Sequence, residues 1–134
     1  MSIAVGVVLA LAVGGLATLF GLDRDRAWYP AVLIVIASYY ALFALMGGSM
    51  QALIIESAVG AVFLGLALAG FKFTLWLVVA GLAAHGIFDF SHAHLYANPG
   101  VPVWWPSFCL AFDVAAAAYL AWLLASKKAR AYSA

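Results

Sequence analysis

Residues 85 to 96 of this 134-residue chain read HGIFDFSHAHLY and contain all three of its histidines and one of its five acidic residues. On a helix with about 100° per residue, His85, Asp89 and His92 fall within an arc of about 60°, whereas His94 lies roughly opposite His85. Imidazole nitrogens and a carboxylate oxygen on one helix face are ligands for Zn²⁺ and for non-haem iron or manganese. The spacing therefore predicts a divalent metal site, with zinc as the first candidate, from which His94 is left out.

Two further carboxylates are predicted to lie at the depth of this segment. At about 1.5 Å of rise per residue, Glu56 lies about 9 Å and Asp113 about 11 Å from the same end of a helical bundle. No Lys or Arg falls in that half of the threaded chain, so protons, histidinium or a metal ion must neutralise the acids. The predicted metal ligands are His85, Asp89, His92, Glu56 and Asp113.

A metal ion held there would activate water for attack on a carbonyl or phosphoryl centre. Glu56 or Asp113 is predicted to act as the general base, and Tyr39 or Tyr40 to donate a hydrogen bond to the developing oxyanion. These roles are typical of a zinc-type hydrolase, and a redox role for iron stays open. Cys109 lacks a basic neighbour in the sequence and is interpreted as a small buried group rather than a nucleophile.

Composition defines the kind of protein in which these residues work. The chain is 69% hydrophobic and 8% charged, which leaves too little polar surface for a soluble globule. A net charge of +1 gives no support for nucleic-acid binding. The expected partners are membrane lipids, a small-molecule or lipid substrate, and further copies of the chain in a homo-oligomer.

Five apolar stretches have the length of about 20 residues with which a helix crosses the hydrocarbon of a bilayer. The stretches are joined by short connections, of which three carry a break signal: the charged segment 21–26, the Gly-Gly-Ser turn 47–49 and the Asn-Pro-Gly segment 98–102. The prediction is a single all-α domain over residues 1–134, an integral membrane bundle of five transmembrane helices at about 2–20, 28–46, 50–70, 73–96 and 105–126.

The basic residues predict the orientation of this bundle. With five crossings, the first loop, the third loop and the C-terminus share one side, and all six basic residues fall there: Arg24, Arg26, Lys72, Lys127, Lys128 and Arg130. Cytoplasmic loops carry an excess of Lys and Arg. The N-terminus is therefore expected outside and the C-terminus in the cytoplasm, in a multi-pass protein of the plasma membrane.

Two family resemblances rest on these motifs. The patterns HGxxDxxH, beginning at His85, and NPGVPxWWPxFCxxxD, ending at Asp113, resemble a family of small bacterial five-helix membrane proteins with no assigned activity, which implies the bacterial inner membrane. More loosely, His85, Asp89 and His92 are similar to the zinc ligands of alkaline ceramidases and adiponectin receptors. Those membrane hydrolases have seven helices and a His-x-x-x-His pair, which this chain lacks.

Two other functions stay open. The histidines and carboxylates could form the cation site of a small transporter, channel or proton-relay subunit, or could hydrogen-bond across helices in a structural assembly subunit. Between Thr74 and His85 the fourth predicted helix has no polar residue, which counts against an ion path. The metal content of protein purified without a His-tag separates these alternatives from the enzyme.

Overall fold

The computed structural model describes residues 1–126, which form an all-α bundle as predicted. The helices in this part of the chain are α1 (Ser2–Phe20), α2 (Trp28–Met46), α3 (Met50–Lys72), α4 (Trp76–Leu95) and α5 (Trp105–Ala125). The bounds of α1 and α2 agree with the prediction. The third helix ends at Lys72 rather than at residue 70, and the fourth begins at Trp76 rather than at residue 73, because residues 73–75 form the turn between them.

Four of these helices, α1, α2, α3 and α5, are long and apolar enough to cross a membrane. Helix α4 is not among them, because its second half carries Asp89 and the three histidines, which lower its mean hydropathy. The exposed surface of the bundle is rich in large apolar side chains, such as Val62, Ile87 and Phe90. The chain is therefore a multi-pass membrane protein.

Helix α1 packs against α5 through a face of small residues. Gly6, Ala10, Gly14 and Ala17 are the buried residues of α1, and a side chain at Gly6 would collide with a backbone carbonyl of α5. Lipid tails are as apolar as the side chains, so helices in a membrane associate through van der Waals packing rather than through the hydrophobic effect. Small residues strengthen this packing because they let the two backbones approach closely. Hydroxyl pairs join the two helices near both ends, Ser2 with Ser107 at 2.8 Å and Thr18 with Tyr119 at 3.0 Å, so α1 and α5 run parallel.

The other helices complete the bundle by packing α2 on α3, and α4 on both α5 and α3. The loop after α4 reaches the end of α2, where Gly100 lies so close to the Phe43 carbonyl that a side chain would not fit. Loops 47–49 and 96–104 therefore lie at one end of the bundle together with Met1. We call this end the neutral end, because neither loop carries a charged side chain.

The opposite end, here called the basic end, holds residues 21–27 and 73–75. Gly21 ends α1 in the left-handed conformation, with φ of 72°, which glycine adopts without strain. The Arg26 guanidinium donates to the Gly70 carbonyl at 3.2 Å and ties this loop to α3. Every Lys and Arg of the described chain lies at this end: Arg24, Arg26 and Lys72. The predicted basic C-terminal residues, Lys127, Lys128 and Arg130, lie outside the described residues.

Candidate metal centre and the neighbouring Glu56 network

Helix α4 presents one polar face to the interior of the bundle. His85, Asp89 and His92 are buried there, each with an exposed fraction of 3% or less. His94 is exposed on the other side of the helix. The period of the helix is the physical reason, since positions three, four and seven residues apart share a face.

His85, Asp89, Cys109 and Asp113 form a compact buried group, here called the four-donor cluster. One ligand atom from each residue can be chosen so that all four atoms lie within 4.8 Å of one another. Helices α4 and α5 each contribute two residues four positions apart, the spacing that places side chains on successive turns of one face. His85 Nδ1 lies 2.7 Å from Asp113 Oδ2 and 3.4 Å from Asp89 Oδ2.

The carboxylates of this cluster are incompletely satisfied. Asp89 Oδ1 accepts a hydrogen bond from the Tyr40 hydroxyl at 2.6 Å, but Asp89 Oδ2 and Asp113 Oδ1 are buried without a hydrogen-bond partner. A buried polar atom left without a partner costs about 1–3 kcal/mol, and more when it is charged. The Lys and Arg residues of the described chain all lie at the basic end, so a single imidazole faces two carboxyl groups.

Glu56 stands in a second, fully bonded group, here called the Glu56 network. Its Oε1 lies 2.8 Å from His92 Nε2 and accepts from the Asn98 amide at 2.8 Å. Its Oε2 accepts from the Tyr96 hydroxyl at 2.8 Å. Tyr96 follows the last residue of α4, and its partial burial together with the Glu56 carboxylate raises the pKa of the phenol. The phenol therefore stays protonated and remains a donor to Glu56.

Tyr40 of α2 lies between the two groups and contacts both. Its ring stacks on His92 with the centroids 4.3 Å apart, while its hydroxyl donates to Asp89. The Asn98 side chain donates to both the Tyr40 carbonyl and Glu56. The hydroxyl of Tyr40 consequently orients one carboxylate of the four-donor cluster, and its ring packs against the Glu56 network.

The structure divides the five predicted ligands between these two groups. His85, Asp89 and Asp113 meet in the four-donor cluster, whereas His92 and Glu56 bond to each other. The physical reason is distance along α4: seven residues separate its two buried histidines by about 10.5 Å, so each histidine meets the carboxylate that a neighbouring helix brings to its own level. The predicted base Glu56 thus has both oxygens occupied away from the cluster.

The packing also decides which of the two predicted tyrosines reaches the four-donor cluster and where the cysteine lies. Tyr39 packs its ring 5.0 Å from that of Trp105, whereas the hydroxyl of Tyr40 donates to Asp89. Cys109 is buried, as interpreted from the sequence, and in addition brings its thiol to the carboxylates. The signal for this fourth donor was its spacing of four residues from Asp113.

Comparison with known proteins adds no relative. The chain matches no family model, and neither a curated protein nor a solved structure matches it. The two resemblances in the motifs therefore stay predictions, and the function of the site rests on its own geometry.

Proposed function

We propose that the protein is a membrane metalloprotein whose four-donor cluster binds one divalent ion, with Zn²⁺ as the first candidate, and that it is a hydrolase of a lipid or amphipathic substrate. The observation that carries the proposal is the pair of buried carboxylate oxygens without a hydrogen-bond partner, Asp89 Oδ2 and Asp113 Oδ1, on two acids that share one imidazole beside a thiol. Intramembrane acids are usually functional.

The donor types fit zinc better than the other candidate metals. Zn²⁺ binds imidazole nitrogen, thiolate sulfur and carboxylate oxygen at about 2.0–2.3 Å, and the tetrahedral arrangement then spaces the donors by about 3.3–3.8 Å. The four atoms lie within 4.8 Å of one another, so binding would draw the farthest pair together by about 1 Å. A thiol donor favours zinc over manganese, and iron is the second candidate. A dication would also balance the two carboxylates, which no other described cation faces.

The residues around the ion would have different roles in hydrolysis, as ligands or as the general base. A divalent ion supplies Lewis acidity toward a carbonyl or phosphoryl oxygen. His85, Asp89 and Cys109 would hold it, with Asp89 oriented by the Tyr40 hydroxyl. Asp113 is the better of the two predicted bases, because its Oδ1 is free to accept a proton from an attacking water, whereas both oxygens of Glu56 are occupied.

A proton relay is the second candidate function, and one observation favours it. Hydrogen bonds connect Tyr96, beyond the end of α4, through Glu56 to His92, and a further hydrogen bond connects Tyr40 to Asp89. His92 and Tyr40 meet through ring stacking, so a relay would need a water molecule to carry the proton between these two segments. Beyond the four-donor cluster, the buried residues of α4 and of the described part of α5 are apolar all the way to the basic end: Val78, Gly81, Leu82, Ala116, Ala117, Leu120 and Leu123. A relay would therefore end at the cluster and would not continue across the membrane. Such a relay could supply protons to a catalytic site.

The test of the proposal is the metal content of protein purified without a His-tag. We expect about one zinc ion per chain by elemental analysis, retained through gel filtration in detergent. Added histidines would bind metal on their own, so the tag must be absent. A metal content near zero in protein that was never exposed to chelator would contradict the proposal and favour the relay.

We further propose that α4 crosses the membrane with the other four helices, that the basic end faces the cytoplasm, and that the membrane is a bacterial inner membrane. The support is the position of Arg24, Arg26 and Lys72 at one end and the absence of charge from the loops at the other. The four-donor cluster would then lie in the outer half of the bilayer.

Cysteine labelling tests this orientation. In a Cys109→Ala background, cysteines at the exposed positions Pro99 and Val103 should react with a membrane-impermeant maleimide added to intact cells. Cysteines at the exposed positions Arg24 and Lys72 should react only after the cells are opened. A cytoplasmic control protein in the same cells shows whether the reagent stayed outside. Labelling at Lys72 in intact cells whose control protein stays unlabelled would overturn the orientation. Labelling at all four positions together with the control protein would show that the cells leak.

A further inference from the structure

An apolar cavity of about 810 Å³ lies between α1 and α2, with α5 as its back wall. It exists because α1 packs closely on α5 but has no substantial contact with α2. Its long walls are apolar side chains, including Val5, Leu9 and Val13 of α1 and Val32 and Ile36 of α2. The volume falls within the range of about 300–1,000 Å³ that is usual for small-molecule sites.

The occupant of this cavity must be hydrocarbon. Val5, Leu9 and Val35 line it and are also exposed on the outer surface of the bundle, with exposed fractions of 43–54%. The cavity is therefore continuous with the lipid-facing surface of a membrane protein. Water would find almost no hydrogen-bond partner along its walls, whereas an acyl chain can enter laterally from the bilayer.

Cys109 connects the cavity to the four-donor cluster. The residue lines the cavity, and its thiol is one of the four clustered donors. Gly6 lies against the backbone of Phe108, so Cys109 stands at the level of the second turn of α1. From the level of Gly6 the cavity continues toward the basic end past Leu9 to Val13, a length of about 10.5 Å along the helix.

The two ends of the cavity differ in polarity. Met1, Ser2 and Trp104 line the mouth at the neutral end, where the Ser2 hydroxyl meets that of Ser107. Val13 and Trp28 line the other end. A bound amphiphile would therefore place its polar head at the neutral end and its chain toward the basic end.

We infer that this cavity binds the hydrocarbon chain of a single-chain amphiphile, with the first carbons of the chain and the carbonyl to which they are attached beside Cys109. The binding of a chain rests on the cavity alone. That the chain belongs to a substrate hydrolysed at the four-donor cluster rests on the proposed function. The substrate class would be a fatty-acyl ester or amide, since these compounds join a single hydrocarbon chain to a carbonyl group that hydrolysis can attack.

Photocrosslinking tests the site with the purified full chain in nanodiscs. The probes are two methyl palmitate analogues, one with a diazirine next to the carbonyl and one with a diazirine roughly eight carbons further along the chain, which matches the length of the cavity between Cys109 and Val13, and mass spectrometry maps the labelled peptides. We expect the first probe to label residues close to Cys109 and the second to label residues close to Val13 or Trp28. Excess unlabelled methyl palmitate should compete with both probes.

Two variants fill the cavity and one matched variant does not. Val32→Trp and Ala31→Phe add bulk to the α2 wall, and each should lower competable labelling by about tenfold or more, equivalent to a loss of about 1.4 kcal/mol of binding. Ala31 is exposed, so Ala31→Phe should leave the fold intact even if Val32→Trp disturbs it. Val62→Trp on the lipid-facing surface of α3 should label as wild type does.

The outcomes separate this inference from the proposed function, because metal content is measured on the same samples. Labelling that spreads over all lipid-facing helices and resists competition would show that bulk lipid fills the cavity, and would overturn the chain site. Reversed positions of the two labels would overturn the placement of the carbonyl at Cys109. Competable labelling in protein that contains no metal would support the chain site and refute the metal centre. Bound metal without competable labelling would support the metal centre and refute the chain site.

Discussion

Replacement of His85 or Asp113 should empty the metal site, whereas replacement of His92 should leave the metal in place. His85 Nδ1 and Asp113 Oδ2 lie 2.7 Å apart within the four-donor cluster, while His92 is bonded to Glu56 outside it. Loss of an outer partner of a metal ligand already lowers metal affinity by about 10–100-fold. The loss of a direct ligand in His85→Ala should lower it at least as much, and Asp113→Asn, which removes the carboxylate bonded to His85, should lower it by about 10–100-fold, as measured by elemental analysis after dialysis against metal-free buffer.

Three variants serve as controls for this result. His92→Ala and Glu56→Gln break the Glu56 network and should lower thermal stability, because each leaves a buried polar group without its partner at a cost of about 1–3 kcal/mol. Both should keep about one metal ion per chain. His94→Ala, at an exposed position, should change neither quantity. Equal metal loss from His92→Ala and His85→Ala would show that both histidines bind a single ion, contrary to the division into two groups.

Chelation should produce the second large effect, on the stability of the whole bundle. A ligand present at 1,000 times its Kd stabilises the folded state by about 4 kcal/mol when it does not bind the unfolded chain. Removal of the ion would also leave two buried carboxyl groups facing a single imidazole. We therefore expect EDTA followed by gel filtration to lower the midpoint of thermal unfolding in detergent, and one equivalent of zinc to restore it.

The Asp113→Asn variant distinguishes this effect from a purely structural role of the cluster. A metal site predicts that the variant unfolds at the same temperature with and without EDTA, since it holds little metal to lose. If the cluster were only a set of hydrogen bonds between helices, the substitution would alter stability by the same amount in both conditions, and wild type would be insensitive to EDTA. A wild-type midpoint that EDTA does not move would thus remove the metal site.

The helices themselves were determined by local sequence. Apolar stretches long enough to span a bilayer alternate with charged or Gly-rich breaks, and each break ends a helix for a local reason, as at Gly21, where φ is positive. The buried face of α4 also followed from sequence alone, because helical periodicity places Asp89 four residues from His85 on the same side. The ends of α3 and α4 at the turn between them differ from the prediction by two and three residues, since that turn has no proline or charge run to mark it, and α4 and α5 each end one residue earlier than predicted.

Which helices meet at each level of α4 was decided only by the tertiary structure. Depth and azimuth can be calculated within one helix, but Glu56 and Asp113 were predicted at nearly equal depth, and nothing in the sequence states which of them faces His85. The packing of α5 on α4 brings Asp113 and Cys109 to His85, and the packing of α3 brings Glu56 to His92. Tyr40 rather than Tyr39 reaches Asp89 for the same reason, since the rotation of α2 in the bundle selects one of two adjacent residues.

The cavity depends on tertiary structure even more completely. Each of its walls reads in the sequence as an ordinary lipid-facing or core-facing helix surface, and no residue pattern marks a space between α1 and α2. The space arises because the small residues of α1, such as Gly6 and Gly14, let it approach α5 closely, while α1 makes no substantial contact with α2. A gap is a property of two surfaces and of the distance between them, so neither sequence segment contains it alone.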